Sequence, residues 1–450
     1  MKKFVASVIV LAMAISLSAQ FKSGMDFRTR AEMFSMNENE SVWRRITDLR
    51  FKPWMTYTQN EYLSAKWAIE IGDIGFGNQD QGGAIGTDGI NVETKNLFLQ
   101  VTPNSDHTVV VGLQPYKDFH ALLLDWDLAG ISWKSRYSVK GNDLRSYFAW
   151  FVSTDEDEEL IDGTTYSFGN TEFVADLEYQ LNDRMKVGVN NIMEFSRSDS
   201  ISSGDVVGDN IHNTSINLWS APYFAGTFDK FYVEAVVAAN NIKPDNKVVY
   251  GDGNEGYTPE HTGIAFSLKT KYDINAEAKA RFNFFFRDGD GSPEAGWNVF
   301  YGIHSYYNTG LVILTEAGCG LDKIDETIYS PLTSYLAPIG NAGMILPAVF
   351  FDYDITKQLK SMPFINKTVL SMGLGYGLTA VEIQRLGDDG QYRPETYIGT
   401  ELDLKADIQM FDNLNVIPYF AILFAGDWYD YEGDHDPFVK VGLTLNTKLK

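Results

Sequence analysis

Apolar and polar residues alternate along this chain in one segment after another, each about ten residues long, and that period of two leaves few folds open. From Leu63 to Gly72, the residues Leu63, Ala65, Trp67, Ile69 and Ile71 fall on one face, while Ser64, Lys66, Ala68, Glu70 and Gly72 fall on the other. Just before it, Leu49, Phe51, Pro53, Met55 and Tyr57 alternate with Arg50, Lys52, Trp54 and Thr56. The rhythm returns where Ala280, Phe282, Phe284 and Phe286 oppose Lys279, Arg281, Asn283, Phe285 and Arg287. It returns again where Ile398, Thr400, Leu402, Leu404, Ala406 and Ile408 oppose Gly399, Glu401, Asp403, Lys405, Asp407 and Gln409, and once more from Val439 to Leu449. Each segment reads as a β-strand with one greasy and one wet face.

The connections alternate too. Short turns are expected at Gln59 to Glu61, Pro103 to Asp106, Lys140 to Asp143, Leu181 to Arg184, Phe228 to Lys230, Ile274 to Ala276 and Phe411 to Asn413. Between them lie long polar stretches, Asp73 to Asn91, Ser153 to Asn170, Ser196 to Asn213, Asn241 to His261, Val381 to Pro394 and Gly426 to Asp436. Short turns at one end and long loops at the other are the asymmetry of a membrane barrel. Backbone groups left unpaired in hydrocarbon cost several kcal/mol each, so lipid-facing strands must close on themselves. The expected fold is therefore all-β, a transmembrane antiparallel β-barrel of about 18 strands, within a range of about 16 to 20. Counting about 18 treats Gly289 to Gly340 mostly as loop, and about 20 follows if Trp297 to Thr315 adds a hairpin. A soluble β-sandwich or propeller also alternates, but rarely places so many Trp, Tyr and Phe outward.

Residues 1–19 read as a signal peptide: Lys2 and Lys3 precede an apolar run from Phe4 to Leu17, followed by small residues for cleavage at Ser18-Ala19. The barrel is then expected over residues 20–450, in the bacterial outer membrane. The net charge of −23 becomes −25 once Lys2 and Lys3 leave with the leader (−23 − 2), which argues against nucleic acid as a partner. Cys319 is the single cysteine, so no intramolecular disulfide can hold an exported chain together. Aromatic residues reach 14 %, with 24 Tyr and 29 Phe, as interfacial girdles require. Acidic loops suit contact with divalent cations and lipopolysaccharide, and a barrel of this kind needs the insertion machinery of its membrane.

Two stretches resemble the alginate-export and related porin families of the outer membrane. One runs from Val92 to Gly130 and includes Val92-Glu93-Thr94-Lys95-Asn96-Leu97-Phe98-Leu99-Gln100-Val101, Val109-Val110-Val111-Gly112-Leu113-Gln114 and Asp125-Trp126-Asp127-Leu128-Ala129-Gly130. The other is Ile398-Gly399-Thr400-Glu401-Leu402-Asp403-Leu404, followed by Phe424-Ala425-Gly426-Asp427. The resemblance implies an outer-membrane barrel and, as alternatives, a diffusion porin or an exporter of an anionic polysaccharide. Leu113 stands where those families usually carry arginine, so one basic pore contact that the resemblance would imply is missing.

Parity places Arg28, Arg30, Arg50, Lys52, Lys66, Glu70, Lys134, Arg136 and Arg281 on the lumen side, because a base facing lipid at mid-membrane costs about 2 to 4 kcal/mol. Glu401, Asp403, Lys405 and Asp407 share the inward face of a late strand, so a basic wall and an acidic wall are expected. Such walls orient polar solutes without excluding either sign strongly, which favours passive diffusion of ions and small hydrophilic solutes. A surface structural or adhesive barrel is the reading of a different class. Leu122, Leu123 and Leu124, with Asp125 and Asp127, form the candidate constriction loop. The six histidines are scattered, no Gly-x-Ser-x-Gly, His-Glu-x-x-His or phosphate loop occurs, and neither an enzyme nor a cofactor or metal site is expected. Asp155 to Glu159 and Asp288 to Gly291 could offer oxygens to calcium, but the second lacks the Gly and Glu of an EF-hand loop, and solvated charge is the favoured reading of both.

Overall fold

The computed structural model describes residues 20–38, 40–77, 91–161, 164–200, 211–245, 247–249, 255–257, 261–289, 300, 302–303, 307–314, 343–386, 392–426 and 437–449. The expected leader, residues 1–19, lies outside these.

The strands run in chain order as β1 (Gln20–Glu38), β2 (Glu40–Thr58), β3 (Leu63–Gly75), β4 (Val92–Asn104), β5 (His107–Lys117), β6 (Asp125–Val139), β7 (Asn142–Ile161), β8 (Thr164–Asn182), β9 (Met185–Ser200) and β10 (Ile211–Phe228). They continue as β11 (Phe231–Asp245), a small pair β12 (Lys247–Val249) and β13 (Glu255–Tyr257), then β14 (His261–Asp273), β15 (Ala278–Arg287) and β16 (Met344–Asp354). The last four are β17 (Ile365–Leu386), β18 (Tyr392–Met410), β19 (Leu414–Ala425) and β20 (Phe438–Leu449). All but β12 and β13 belong to one 18-stranded sheet in which each strand pairs antiparallel with its neighbours. The first strand closes the ring on the last, with Phe27 opposite Thr447 and Met33 opposite Val441. The transmembrane antiparallel barrel expected from the alternation is the fold observed, with the lower of the two strand counts.

Its surface is inverted relative to a soluble protein. Large apolar residues are exposed on the outer wall, among them Trp67, Leu97, Trp133, Trp150, Phe173, Leu218, Val237, Ile264, Met372 and Leu374. Buried on the inner wall are Asn96, Gln114, Asn190, Asn217, Asn240, Ser267, Asn283, Glu401 and Lys440. Hydrocarbon outside and water inside account for both sets at once.

The short connections gather at one end, built from local chemistry. Lys140 and Gly141 both take positive φ (53° and 84°), the backbone of a two-residue hairpin turn whose twist matches the strands. At Asn60, Asn104, Asn182 and Asn275 the side-chain oxygen accepts backbone N–H groups two or three residues on, which closes the chain without a partner strand. The turn between β16 and β17 carries a 3₁₀ helix, Thr356–Leu359. Several stretches expected as long polar loops are in part strand: β7 runs on to Ile161 with β8 beginning at Thr164, and β17 runs to Leu386 with β18 beginning at Tyr392. The backbone ladder therefore continues where the alternation of residue types stops.

Candidate functional site

Two segments leave the wall and fold into the barrel. The first links β5 to β6. Lys117 and Asp125 meet at its neck, Nζ to Oδ2 at 2.7 Å. Between them the Asp118 carboxylate accepts four backbone N–H groups: His120 at 3.3 Å and Leu122 at 3.0 Å on Oδ2, Leu123 at 2.9 Å and Leu124 at 2.8 Å on Oδ1. An ionised acceptor serving four buried donors folds these residues into one tight turn, with Ala121 at φ 56°. Leu122, Leu123 and Leu124 become at most 2 % exposed and join Val174, Ile192 and Trp219 in an apolar cluster inside the barrel.

The tip of this turn is fastened to the facing wall. Phe119 donates its N–H to Asn190 Oδ1 (3.2 Å) on β9 and stacks on Tyr223 of β10, centroids 4.1 Å apart and planes 6° from parallel. Lys186 lies 5.0 Å above the Phe119 ring. His120 holds Ser267 of β14 through Nδ1 (3.0 Å) and Glu234 of β11 through Nε2 (3.2 Å). Burial, the largest influence, lowers the His120 pKa, against the opposing pull of Glu234.

The second inward segment covers 307–314 and uses the same chemistry. Glu401 of β18 accepts N–H groups from Val312 (2.8 Å) and Ile313 (2.6 Å) on Oε1 and from Leu314 (2.7 Å) on Oε2, while Asp403 Oδ2 accepts a further bond from Val312 at 3.1 Å. Glu401 is fully buried. Gly375 on β17 clears the space: a Cβ there would stand 2.3 Å from Leu311 Cδ1. Ser267 donates to the Tyr307 hydroxyl at 2.8 Å, Tyr307 stacks on Phe285 at 4.5 Å, and its ring lies 6.3 Å from that of His120. The two segments therefore share Ser267 as a common foothold and narrow the interior from two sides.

The residues that parity assigned to the lumen are distributed as follows. Arg28 pairs with Asp73 at 2.7 Å and Arg30 with Asp48 at 2.7 Å. Glu70 sits among three bases, Lys52 at 3.2 Å, Arg50 at 3.9 Å and Lys95 at 3.9 Å; Lys95 is a member that sequence reasoning omitted. Lys66 faces the Phe98 ring and Lys134 the Tyr147 ring, at 6.0 and 5.4 Å. Arg136 pairs with Asp143 at 2.8 Å, and Arg281 binds Asp352 through two nitrogens at 2.7 and 2.9 Å. The first four strands thus bring Arg28, Arg30, Arg50, Lys52 and Lys95 together, while Lys134, Arg136 and Arg281 stand apart with their own partners.

Glu401 gives both oxygens and Asp403 gives Oδ2 to backbone N–H groups instead of forming the expected acidic wall, and Lys405 and Asp407 follow exposed on the same strand. Asp125 and Asp127, grouped in sequence with the leucines, belong to β6. Asp127 accepts from Asn96 Nδ2 at 2.7 Å. Asp288 accepts the N–H groups of Ile264 (2.7 Å) and Phe300 (2.8 Å), and the side chains of Asp155 to Glu159 lie outside the described residues. Among the described residues, no three His, Cys, Asp or Glu side chains gather.

An 18-stranded antiparallel barrel with an apolar exterior, a polar interior and inward-folded segments defines the class: a β-barrel of outer-membrane type. Solved structures share the fold. OccAB1 of Acinetobacter baumannii superposes with a TM-score of 0.51 at 11 % identity, over 95 % of this chain and 96 % of its own. OccK9 (OpdG) of Pseudomonas aeruginosa gives 0.50 at 9 % identity, over 96 % and 98 %. The outer membrane protein OpdK of Pseudomonas aeruginosa gives 0.48 at 12 %, over 95 % and 98 %. At such identities the likeness is one of fold. No family model matches the chain, and no curated protein matches it. The porin side of the expected resemblance thus has counterparts in fold, and these structures lend the alginate-export side no support.

Proposed function

We propose that this chain is an outer-membrane channel through which ions and small hydrophilic solutes diffuse passively. The observation that carries the reading is a lumen narrowed by two segments, the first folded on Asp118 and tied to the wall through Phe119 and His120, the second bound to the wall by the buried Glu401 carboxylate. A barrel serving only as an anchor has no need of such internal structure, whereas a pore needs a defined constriction to sort what passes. On this reading Arg28, Arg30, Arg50, Lys52, Lys66, Glu70, Lys134, Arg136, Arg281, Lys405 and Asp407 line the path, Glu401 and Asp403 hold the second inward segment in place, and Leu122, Leu123 and Leu124 are the packed base of the first. Residues 1–19 direct export, and the insertion machinery and lipopolysaccharide are the partners of assembly and of the outer leaflet.

The test is a recording from the purified chain in planar lipid bilayers. Discrete, voltage-independent conductance steps in potassium chloride are expected. A correctly folded barrel that never conducts would overturn the proposal and leave the adhesive reading.

A further inference from the structure

The pairing of β8 with β9 sets Glu172 directly opposite Glu194, and that of β9 with β10 sets Asn217 directly opposite Glu194. All three face the interior, one step further from the short turns than Val174, Ile192 and Trp219. Directly paired residues hold their Cβ atoms about 4.5 to 5.5 Å apart, so both carboxylates reach a common point. Glu172 is 0 % exposed, Glu194 8 %, and neither forms an ion pair with a base among the described residues. The charged neighbour that Glu172 feels is Glu194 itself.

The polar atoms around this pair are unsatisfied. Both carboxylate oxygens of Glu172 lack a hydrogen-bond partner; the neighbouring Ser153 hydroxyl donates to the Asn170 carbonyl at 3.3 Å. Asn217 gives Nδ2 to Glu194 Oε1 at 2.8 Å, which leaves its own Oδ1 unpartnered and buried. Asn240 on β11, diagonal to Asn217 and 3 % exposed, has neither Oδ1 nor Nδ2 bonded. Three adjacent strands therefore set two carboxylates and the spare amide oxygen of Asn217 side by side, and the Asn217 amide meets only one of Glu194's oxygens. Two ionised carboxylates side by side and out of bulk water are costly unless a positive charge joins them.

We infer that Glu172 and Glu194, with the side-chain oxygen of Asn217, hold a hard divalent cation of the calcium class on the inner wall of the barrel. A charge of +2 neutralises both carboxylates at once, and an all-oxygen set without His or Cys suits calcium rather than zinc or copper. Water completes the coordination shell, as calcium takes about 6 to 8 oxygens. The competing resolution, one proton shared between the glutamates, leaves the amide oxygen idle. Cation binding here does not depend on whether solutes pass the barrel.

The experiment is calorimetric titration of calcium chloride into the calcium-free full chain in detergent at pH 7.5. It compares the wild type, the double variant E172Q/E194Q, and a loop variant with Asp155, Glu156, Asp157, Glu158 and Glu159 all changed to their amides. A saturable event is expected in the wild type and the loop variant with the same affinity, weakened at least tenfold in E172Q/E194Q. Glutamine keeps the shape and removes only charge, and retained heat-modifiable migration on gels shows the double variant folded. Should that variant fail to fold, terbium replaces calcium in the wild type. Its luminescence, sensitised by Trp219, two residues from Asn217 on the same face of β10, is then expected to fall in W219F. No saturable binding in the wild type, equal binding in E172Q/E194Q, loss only in the loop variant, or W219F-insensitive luminescence each overturns the inference.

Discussion

Replacing Asp118 with asparagine tests the inward segment directly. The carboxylate serves four N–H donors and is 2 % exposed, so each bond is charge-assisted and shielded from water. Hydrogen bonds to a charged group contribute about 1.5 to 3 kcal/mol each. Asparagine keeps one acceptor oxygen and turns an NH₂ toward two of the donors, so two bonds are lost and two N–H groups stand against another donor. Allowing for relaxation, the inward conformation loses about 3 to 5 kcal/mol. At about 1.4 kcal/mol per tenfold, its population relative to open alternatives falls about a hundredfold or more. The barrel itself stays assembled, because the ladder bonds of 18 strands are untouched. Single-channel recording is expected to show a higher mean conductance with added open-channel noise. Hydrogen exchange, which needs no conduction, is expected to accelerate at the amides of Leu122 to Leu124. Wild-type conductance, wild-type noise and unchanged exchange in D118N would refute the role given to this carboxylate.

Three further outcomes are expected. Changing Arg50 and Lys52 together to glutamate reverses the charge around Glu70 and should move the reversal potential toward cation selectivity; an unshifted potential would remove these two residues from the conducting path. Leu97 faces outward at 58 % exposure, so L97R should lower folding stability in vesicles by about 2 to 4 kcal/mol in urea titration, whereas an inward Q100R should be tolerated; equal effects would contradict the face assignment. For His120 the sign follows from burial: its pKa lies below the ordinary value of 6.5, so the tip contact is fully present above about pH 6.5 and is lost as pH falls through the depressed value. Glu234, Lys269 and Asp118 face it and modulate that window. Channel noise should therefore rise on acidification from pH 7.5 to 5 and become pH-independent over that range in H120Q; an unchanged pH response in H120Q would assign it elsewhere.

The barrel could be read from the sequence because two solvents imposed it. Residues such as Trp67 and Ile69 must meet hydrocarbon while Lys66 and Glu70 meet water, and the outward aromatic residues separate this arrangement from a soluble sheet with the same period. Strand ends were less legible: from Ser153 to Ile161 the run of acidic residues reads as loop by composition, although the ladder continues. The inward segments were half legible. Leu122 to Leu124 stand out as apolar residues amid turn signals, but Leu311 to Leu314 look like strand, and what removes them from the wall is Glu401, 87 to 89 residues away along the chain. That distance also misled the charge reading, for Glu401 counts as a free acid until its backbone partners are known. Glu172 and Glu194 passed unnoticed because their adjacency depends on register, which a single sequence does not state.

The ring closes through β1 and β20, the first and last strands described. Translation and export proceed from one end, so a nascent molecule short of its final dozen residues carries two raw margins, on β1 and on β19, with every second amide seeking a mate. Hydrocarbon offers none. Whatever inserts this protein must therefore hold the newborn first strand in custody until the last has arrived, and a stop codon placed before Phe438 should send the whole product to proteolysis rather than yield a slightly smaller cylinder.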